Sequence, residues 1–255
     1  MAAPILRALM IALGSATACA LADAQQVKPA TATAPYTKLN ALPDWGGVWA
    51  PAFSPAASGG GDPPLTPEYK TRYDAFRAAS AAGRDAGNGR PSNCQPPGMP
   101  RIMLQPYNIE FLFTPGRVTI IQEAYMQVRR VFTDGRPLPE DPDPAFNGHS
   151  IGHWEGDTLV VETAGIREDT QLGRVGVSHS DQLRVVERYR LDPANPDKLS
   201  LEFTFTDPKA LERPWQQTYA FVRHREWEQI EFICAENDRN PIGEDGKTQY
   251  ILGDK

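Results

Sequence analysis

The chain is predicted to fold as an all-β protein, an antiparallel up-and-down barrel preceded by a long arm that carries one helix. Three observations predict this class. From Asn108 onward, apolar residues recur with period two in about nine short runs at nearly even spacing. Turn-forming sequences separate most of the runs, among them Pro115-Gly116, Asp134-Gly135 and Gly156-Asp157. The 24 prolines crowd the region before Pro106 and the later loops, where they break any long helix. A sheet of that many strands curls or splits to manage its edges, which favours closure.

Residues 1–24 read as a secretory signal peptide. Arg7 precedes an apolar run from Ala8 to Leu13, and small-x-small sites end at Ala22 and Ala24. The run is too short for a membrane anchor, and no later stretch is apolar enough to span a bilayer. Cys19 points weakly to a lipoprotein, because Ala16 stands where such a site wants leucine. A periplasmic or secreted protein without stable membrane insertion is expected.

Residues 25–107 form the arm. Its start is rich in Ala, Thr and Pro; then Trp45 and Trp49 flank two glycines where a turn enters a first strand, contributed by residues 45–51. Thr66 as N-cap, Pro67 at the first helical position and Gly83 as C-cap bracket one helix over about 66–82. Tyr69, Tyr73 and Phe76 form its apolar stripe. Removing the signal leaves Cys94 and Cys234, which in an oxidising compartment read as one disulfide tying the arm to the last strand, or else as two buried thiols.

Residues 108–255 form the barrel. IEFLFT, VTIIQE and MQVRRVF are its next strands. GHSIGHWEGDTLVVET, Gly148 to Thr163, contributes two more around Gly156-Asp157. QLRVVERYRLD, KLSLEFTFT, WQQTYAFVRH and EWEQIEFICA complete the series.

Two resemblances attach to these motifs. Gly47-Val48-Trp49 is similar to the G-x-W signature of lipocalins and related calycin barrels, which implies a calycin-like barrel with Arg223 or Arg225 covering the tryptophan. The long insertion from Ala50 to Tyr107 departs from that pattern. PPGMPRIM, TPGRVTI, RRVFTDGR, GHSIGHWEGDTLVVET and HSDQLRVVER together resemble a group of exported bacterial proteins. That resemblance covers most of the mature chain and implies no particular chemistry.

Formal charge of -6 and a pI near 5.3 argue against a nucleic-acid partner. His149 and His153 suggest a metal pair at first sight, but on a strand they lie roughly 13 Å apart, too far for one ion. No metal and no cofactor are expected; His224 is available to a haem barrel, yet nothing else favours haem. A two-residue turn at Gly156-Asp157 pairs Trp154 with Leu159, His153 with Val160 and Ile151 with Glu162. Trp154, Leu159 and Val161 then share an apolar face. Glu162 lies on the other, diagonal to His149 and His153 at roughly 7–8 Å between Cβ atoms. That face is either solvated or lines a cavity, where a carboxylate between two imidazoles suits acid–base work.

Glu187 stands in an apolar row with Leu183, Val185 and Tyr189, so a cation must meet it. Arg130 is the expected partner, from an alternation of Met126, Val128, Arg130 and Phe132; the pair is a structural bridge or a ligand anchor. His179 precedes that strand at a rim, and Arg101, Met103 and Tyr107 are placed to cap one mouth. Ser178 and Ser180 lack the setting of a hydrolase nucleophile. Two functions follow, each with a small hydrophobic or aromatic partner. One is a cofactor-independent lyase or isomerase with His149, His153 and Glu162 as acid–base groups, Arg130 and His179 orienting an oxyanion. The other is a carrier or sensor that binds without turnover.

Overall fold

The computed structural model of this chain describes residues 36–52, 61–82, 94–173 and 175–234. The signal segment and Gly83 lie outside these residues. Nine strands close into a barrel in chain order: β1 Val48–Pro51, β2 Ile109–Thr114, β3 Arg117–Gln122, β4 Gln127–Phe132, β5 His149–Glu155, β6 Thr158–Ala164, β7 Arg184–Asp192, β8 Asn195–Thr206 and β9 Trp215–His224. Among the described residues the one α-helix, α1, spans Pro67–Ala81, with Thr66 at its N-cap and Ala82 at its C-cap. Its Tyr69 is buried, and Phe76 packs so closely on Gly176 that a Cβ there would collide with the ring. Among the described residues no helix is long and apolar enough to cross a membrane.

Three expectations are corrected. The barrel is mixed rather than wholly antiparallel, because β4 and β5 run parallel, Val131 opposite Ser150 and Phe132 opposite Ile151. The cause lies in residues 133–148: a parallel neighbour needs a long crossover, and this one contains Pro137, Pro139, Pro142 and Pro144. Residues 226–234, the described part of EWEQIEFICA, form no strand. β9 is already hydrogen-bonded to β8 on one side and β1 on the other, so no free edge remains for it. The segment instead crosses the outside of the barrel, Gln229 Nε2 donating to the Ile121 carbonyl.

The third correction concerns which β4 residues face inward. β3 and β4 are joined by a 3-10 turn, Ala124–Met126, in which Tyr125 and Met126 take positive φ of 57° and 49°. The register that results sets Ile120 opposite Arg129 and Val118 opposite Val131. Odd-numbered β4 residues therefore point inward, and Arg130 is exposed on the outer face.

The two ends of the barrel differ. At one end the connections are the tight turns at Pro115-Gly116, Gly156-Asp157 and Pro193-Ala194. Trp45 seals this end from within, its ring 4.9 Å from Phe111, 5.4 Å from Trp154 and 5.7 Å from Phe113. Arg223 lies 4.8 Å over the ring of the buried Trp49, and Gly47 has φ of 98°. Its guanidinium donates to the Asp44 and Gly46 carbonyls and to Asp197, tying β1 to the start of β8. The opposite end receives the arm, the 165–183 loop and the 207–214 loop, while the 133–148 crossover runs from the first end to the second. Cys94 and Cys234 form a disulfide with Cα atoms 5.5 Å apart, joining the arm to the segment that follows β9.

Candidate functional site

The β5–β6 hairpin has the register expected from its turn, from Glu155 opposite Thr158 to Ile151 opposite Glu162. Leu159 and Val161 are fully buried, and Trp154 packs on Trp45. That leaves the histidine face outside. His153 is exposed and pairs with Glu155 at 3.1 Å. Glu162 accepts from Arg184 Nη1 at 2.9 Å, also exposed. His149 Nε2 donates to the Asp143 carbonyl at 2.9 Å, and its ring lies beside Gly165 and Pro142. No hydrogen bond joins Glu162 to either histidine among the described residues. His224, at the sealed end, stacks on Trp227 at 3.5 Å.

Glu187 does sit in a buried row with Leu183, Val185 and Tyr189, but its partner is Arg129 rather than Arg130. The reason is the inward register of β4. Arg129 and Glu187 are both essentially unexposed, and the guanidinium makes two donations to the carboxylate, from Nη1 at 2.8 Å and from Nη2. Nη2 also donates to Thr163 Oγ1 at 2.8 Å and Ser150 Oγ at 3.1 Å, while the Tyr189 hydroxyl donates to Glu187 Oε1 at 2.6 Å. Burial alone lowers the Arg129 pKa; the Glu187 charge outweighs it and the guanidinium stays charged. Burial, then the Glu187 charge, push the Tyr189 phenol well above its ordinary range. The layer is closed: carboxylate and guanidinium use each other and their hydroxyl neighbours, with no group left over for a ligand.

His179 is buried on the loop leading to β7. The Ser180 carbonyl can only accept, so Nδ1 carries the proton at 2.9 Å. Nε2 then accepts from the Thr170 hydroxyl at 2.7 Å, and that hydroxyl also lies 3.0 Å from the Met99 carbonyl. Burial lowers the His179 pKa, against the Ser180 hydrogen bond and the carboxylates of Asp207, Glu168 and Asp169. The sign follows. Above the unfolded value of about 6.5 both states are neutral; below it the unfolded chain takes the proton first. Stability should therefore fall as pH drops below that value and level off beneath the folded pKa. Urea midpoints between pH 7 and 5 should decline less steeply in His179→Gln than in wild type.

The arm covers the open end of the barrel through a 3-10 turn, Arg101–Leu104. Ile102 and Met103 are buried, and Gln122 Nε2, on the last inward position of β3, contacts Met103 Sδ. Around them stand four half-buried groups: Arg101, Tyr107, Tyr125 and Tyr219. Phe232 joins two of these, its ring 5.1 Å from Tyr107 and 5.2 Å from Tyr125. Burial lowers the Arg101 pKa, and among the described residues the Tyr125 and Tyr219 phenols oppose it. Burial, then Tyr107, raise the Tyr125 phenol. Tyr219 donates to Gln217 Oε1 at 2.9 Å. Two fully buried amides keep an atom without a partner among the described residues, Gln217 Nε2 and Gln122 Oε1.

A separate groove of about 890 Å³ runs outside the barrel between the proline-rich crossover and the 165–184 region. Its lining is acidic, with Glu140, Asp141, Glu168, Asp169 and Asp181 against Arg167 and Arg184; Arg167 pairs with Asp169, while Arg184 and Asp181 pair with Glu162 and Lys209 outside the lining.

Of the expected site residues, then, Arg101 and Tyr107 stand together at one mouth, His179 is buried behind it, and His149, His153, Glu162 and Arg130 are dispersed on the outer surface. Arg129, Tyr125, Tyr219, Gln122 and Gln217 were not anticipated. Arg129 had one signal: in an Arg-Arg pair on a strand, one side chain must point inward. No family model matches the chain, and no curated protein matches it.

Proposed function

We propose that this protein is an exported carrier or sensor that binds a small hydrophobic or aromatic molecule at the arm-covered end of its barrel, without turnover. One observation carries the reading: the arm brings Arg101, Tyr107, Tyr125 and Phe232 together, half-buried, where a rigid barrel holds them. Aromatic walls with a few convergent polar groups are the usual make-up of a small-molecule site. The opposite end offers no such opportunity, since Trp45 and Arg223 fill it. Export to the periplasm or beyond fits a disulfide between the arm and the C-terminal segment, which an oxidising compartment maintains.

The lyase or isomerase reading receives no support from the geometry. Acid–base work needs two groups within hydrogen-bond reach of one substrate. His153 and Glu162 are instead solvated and paired with Glu155 and Arg184. The test compares binding of two aromatic probes, 2-naphthamide and 2-naphthoate, by tryptophan fluorescence. His149→Ala and Glu162→Gln are expected to leave both affinities within about twofold of wild type, as surface changes away from a site do. A loss of tenfold or more in either variant would move the site to the histidine face and overturn the reading.

A further inference from the structure

The ligand class can be narrowed from the bonding capacity at this mouth, an inference that rests on the binding reading above. Among the described polar side chains that gather at this end, most of the bonding capacity left without a partner is donor capacity, with one exception. The guanidinium offers five N–H groups, and no ion pair or hydrogen bond engages it among the described residues. The raised Tyr125 phenol keeps its proton and so remains a donor. Gln217 already accepts from Tyr219 through Oε1, which leaves its buried Nε2 as a donor with nothing to meet. The exception is Gln122 Oε1, a single buried acceptor.

A cation in this setting is unusual. Elsewhere in the barrel the inward cations are matched: Arg129 has Glu187, and Arg223 has Asp197 together with backbone carbonyls. Among the described residues no carboxylate acts on Arg101, and the groups that raise its pKa are the two phenols. A half-buried guanidinium gives up part of its hydration, and that loss is offset only when an anion supplies what water did. The backbone beside it is also held in a costly form, since Tyr125 and Met126 are non-glycine residues in the left-handed region. Such positions cluster at ligand sites. Here the positive φ values turn the chain so that the Tyr125 ring reaches Phe232 and flanks the cation.

We propose that the mouth of the barrel recognises an aromatic or hydrophobic anion, a carboxylate or a phenolate, with Arg101 as the counter-charge, the Tyr125 hydroxyl and Gln217 Nε2 as further donors, and Tyr107 and Phe232 as the apolar wall. The mode of recognition is a planar, forked pairing, so charge alone does not replace the guanidinium.

The same two probes test this, because they share a ring system and differ in charge. In the full-length exported protein, 2-naphthoate is expected to bind at least about tenfold more tightly than 2-naphthamide, the scale of a charge-assisted hydrogen bond. Arg101→Met should remove that preference, lowering naphthoate affinity by about tenfold or more and naphthamide affinity by much less. Arg101→Lys should recover only part of it. Near-UV circular dichroism of both variants establishes that the fold is intact, and Arg101→Lys carries the test if Arg101→Met fails to fold. Equal binding of the two probes, or an Arg101→Lys affinity equal to wild type, would overturn the anion inference while the binding reading stands. No measurable binding of either probe would overturn both.

Discussion

Glu187→Gln is expected to destabilise the protein by about 3–5 kcal/mol, with a matching fall in the urea midpoint and little change in m-value. The substitution keeps the volume of the side chain and its capacity to accept from Arg129, so what it removes is the charge. The guanidinium would then lie in the barrel interior, essentially unexposed, with only Ser150, Thr163 and a neutral amide around it. A buried charge without its counter-ion is among the few single changes that costs this much. Arg129→Met combined with Glu187→Leu should return the stability to within about 1–2 kcal/mol of wild type, because apolar replacement of a buried pair is often neutral. A single variant within 1 kcal/mol of wild type would show that the pair contributes little to holding β4 against β7.

The second large effect is expected at the disulfide. Converting Cys94 and Cys234 together to serine should cost about 2–5 kcal/mol, since the bond closes a long loop, a sequence separation of 140, in the unfolded chain. Reduction with dithiothreitol should lower the midpoint of wild type by the same amount and leave the double variant unmoved. An identical midpoint with and without reductant, once two free thiols are titrated, would contradict this. The effect should be local as well as global. The bond holds the segment that carries Phe232 against Tyr107 and Tyr125, the wall of the proposed site.

How much of this was legible beforehand depends on which physical term decided each feature. The Gly156-Asp157 hairpin was readable pair by pair, because a two-residue turn leaves one register and the apolar face of Leu159 and Val161 agrees with it. Thr66, Pro67 and the tyrosine stripe located α1 for similar local reasons. Arg223 over Trp49 is one of the two arginines, Arg223 or Arg225, that the resemblance of Gly47-Val48-Trp49 to the lipocalin signature implies. The parity of β4 was not legible. It turns on Tyr125 and Met126 entering left-handed backbone, which neither residue type announces, and a one-residue slip turns Arg129 outward and Arg130 inward. The parallel β4–β5 pair was hidden too, since periodicity describes a strand and says nothing of the direction of its neighbour.

The candidate site divides along the same line. His149, His153 and Glu162 drew attention because they are close in sequence, yet alternation puts them on a face whose partners are Asp143, Glu155 and Arg184. The mouth is assembled from Arg101, Tyr125, Tyr219 and Phe232, four segments whose proximity only closure of the barrel creates. Buried amide atoms without partners have no signature in a sequence at all.

We propose that a small molecule binds at the end of the barrel beneath the arm. Backbone amide chemical shifts, followed in the isotope-labelled protein during titration with 2-naphthoate, test it most directly. Shifts are expected to concentrate at residues 99–107, at Tyr125, at Gln217 to Tyr219 and around Phe232, and to shrink in Arg101→Met. Shifts confined to His149, Glu162 and the 139–144 crossover, with the mouth silent, would contradict it.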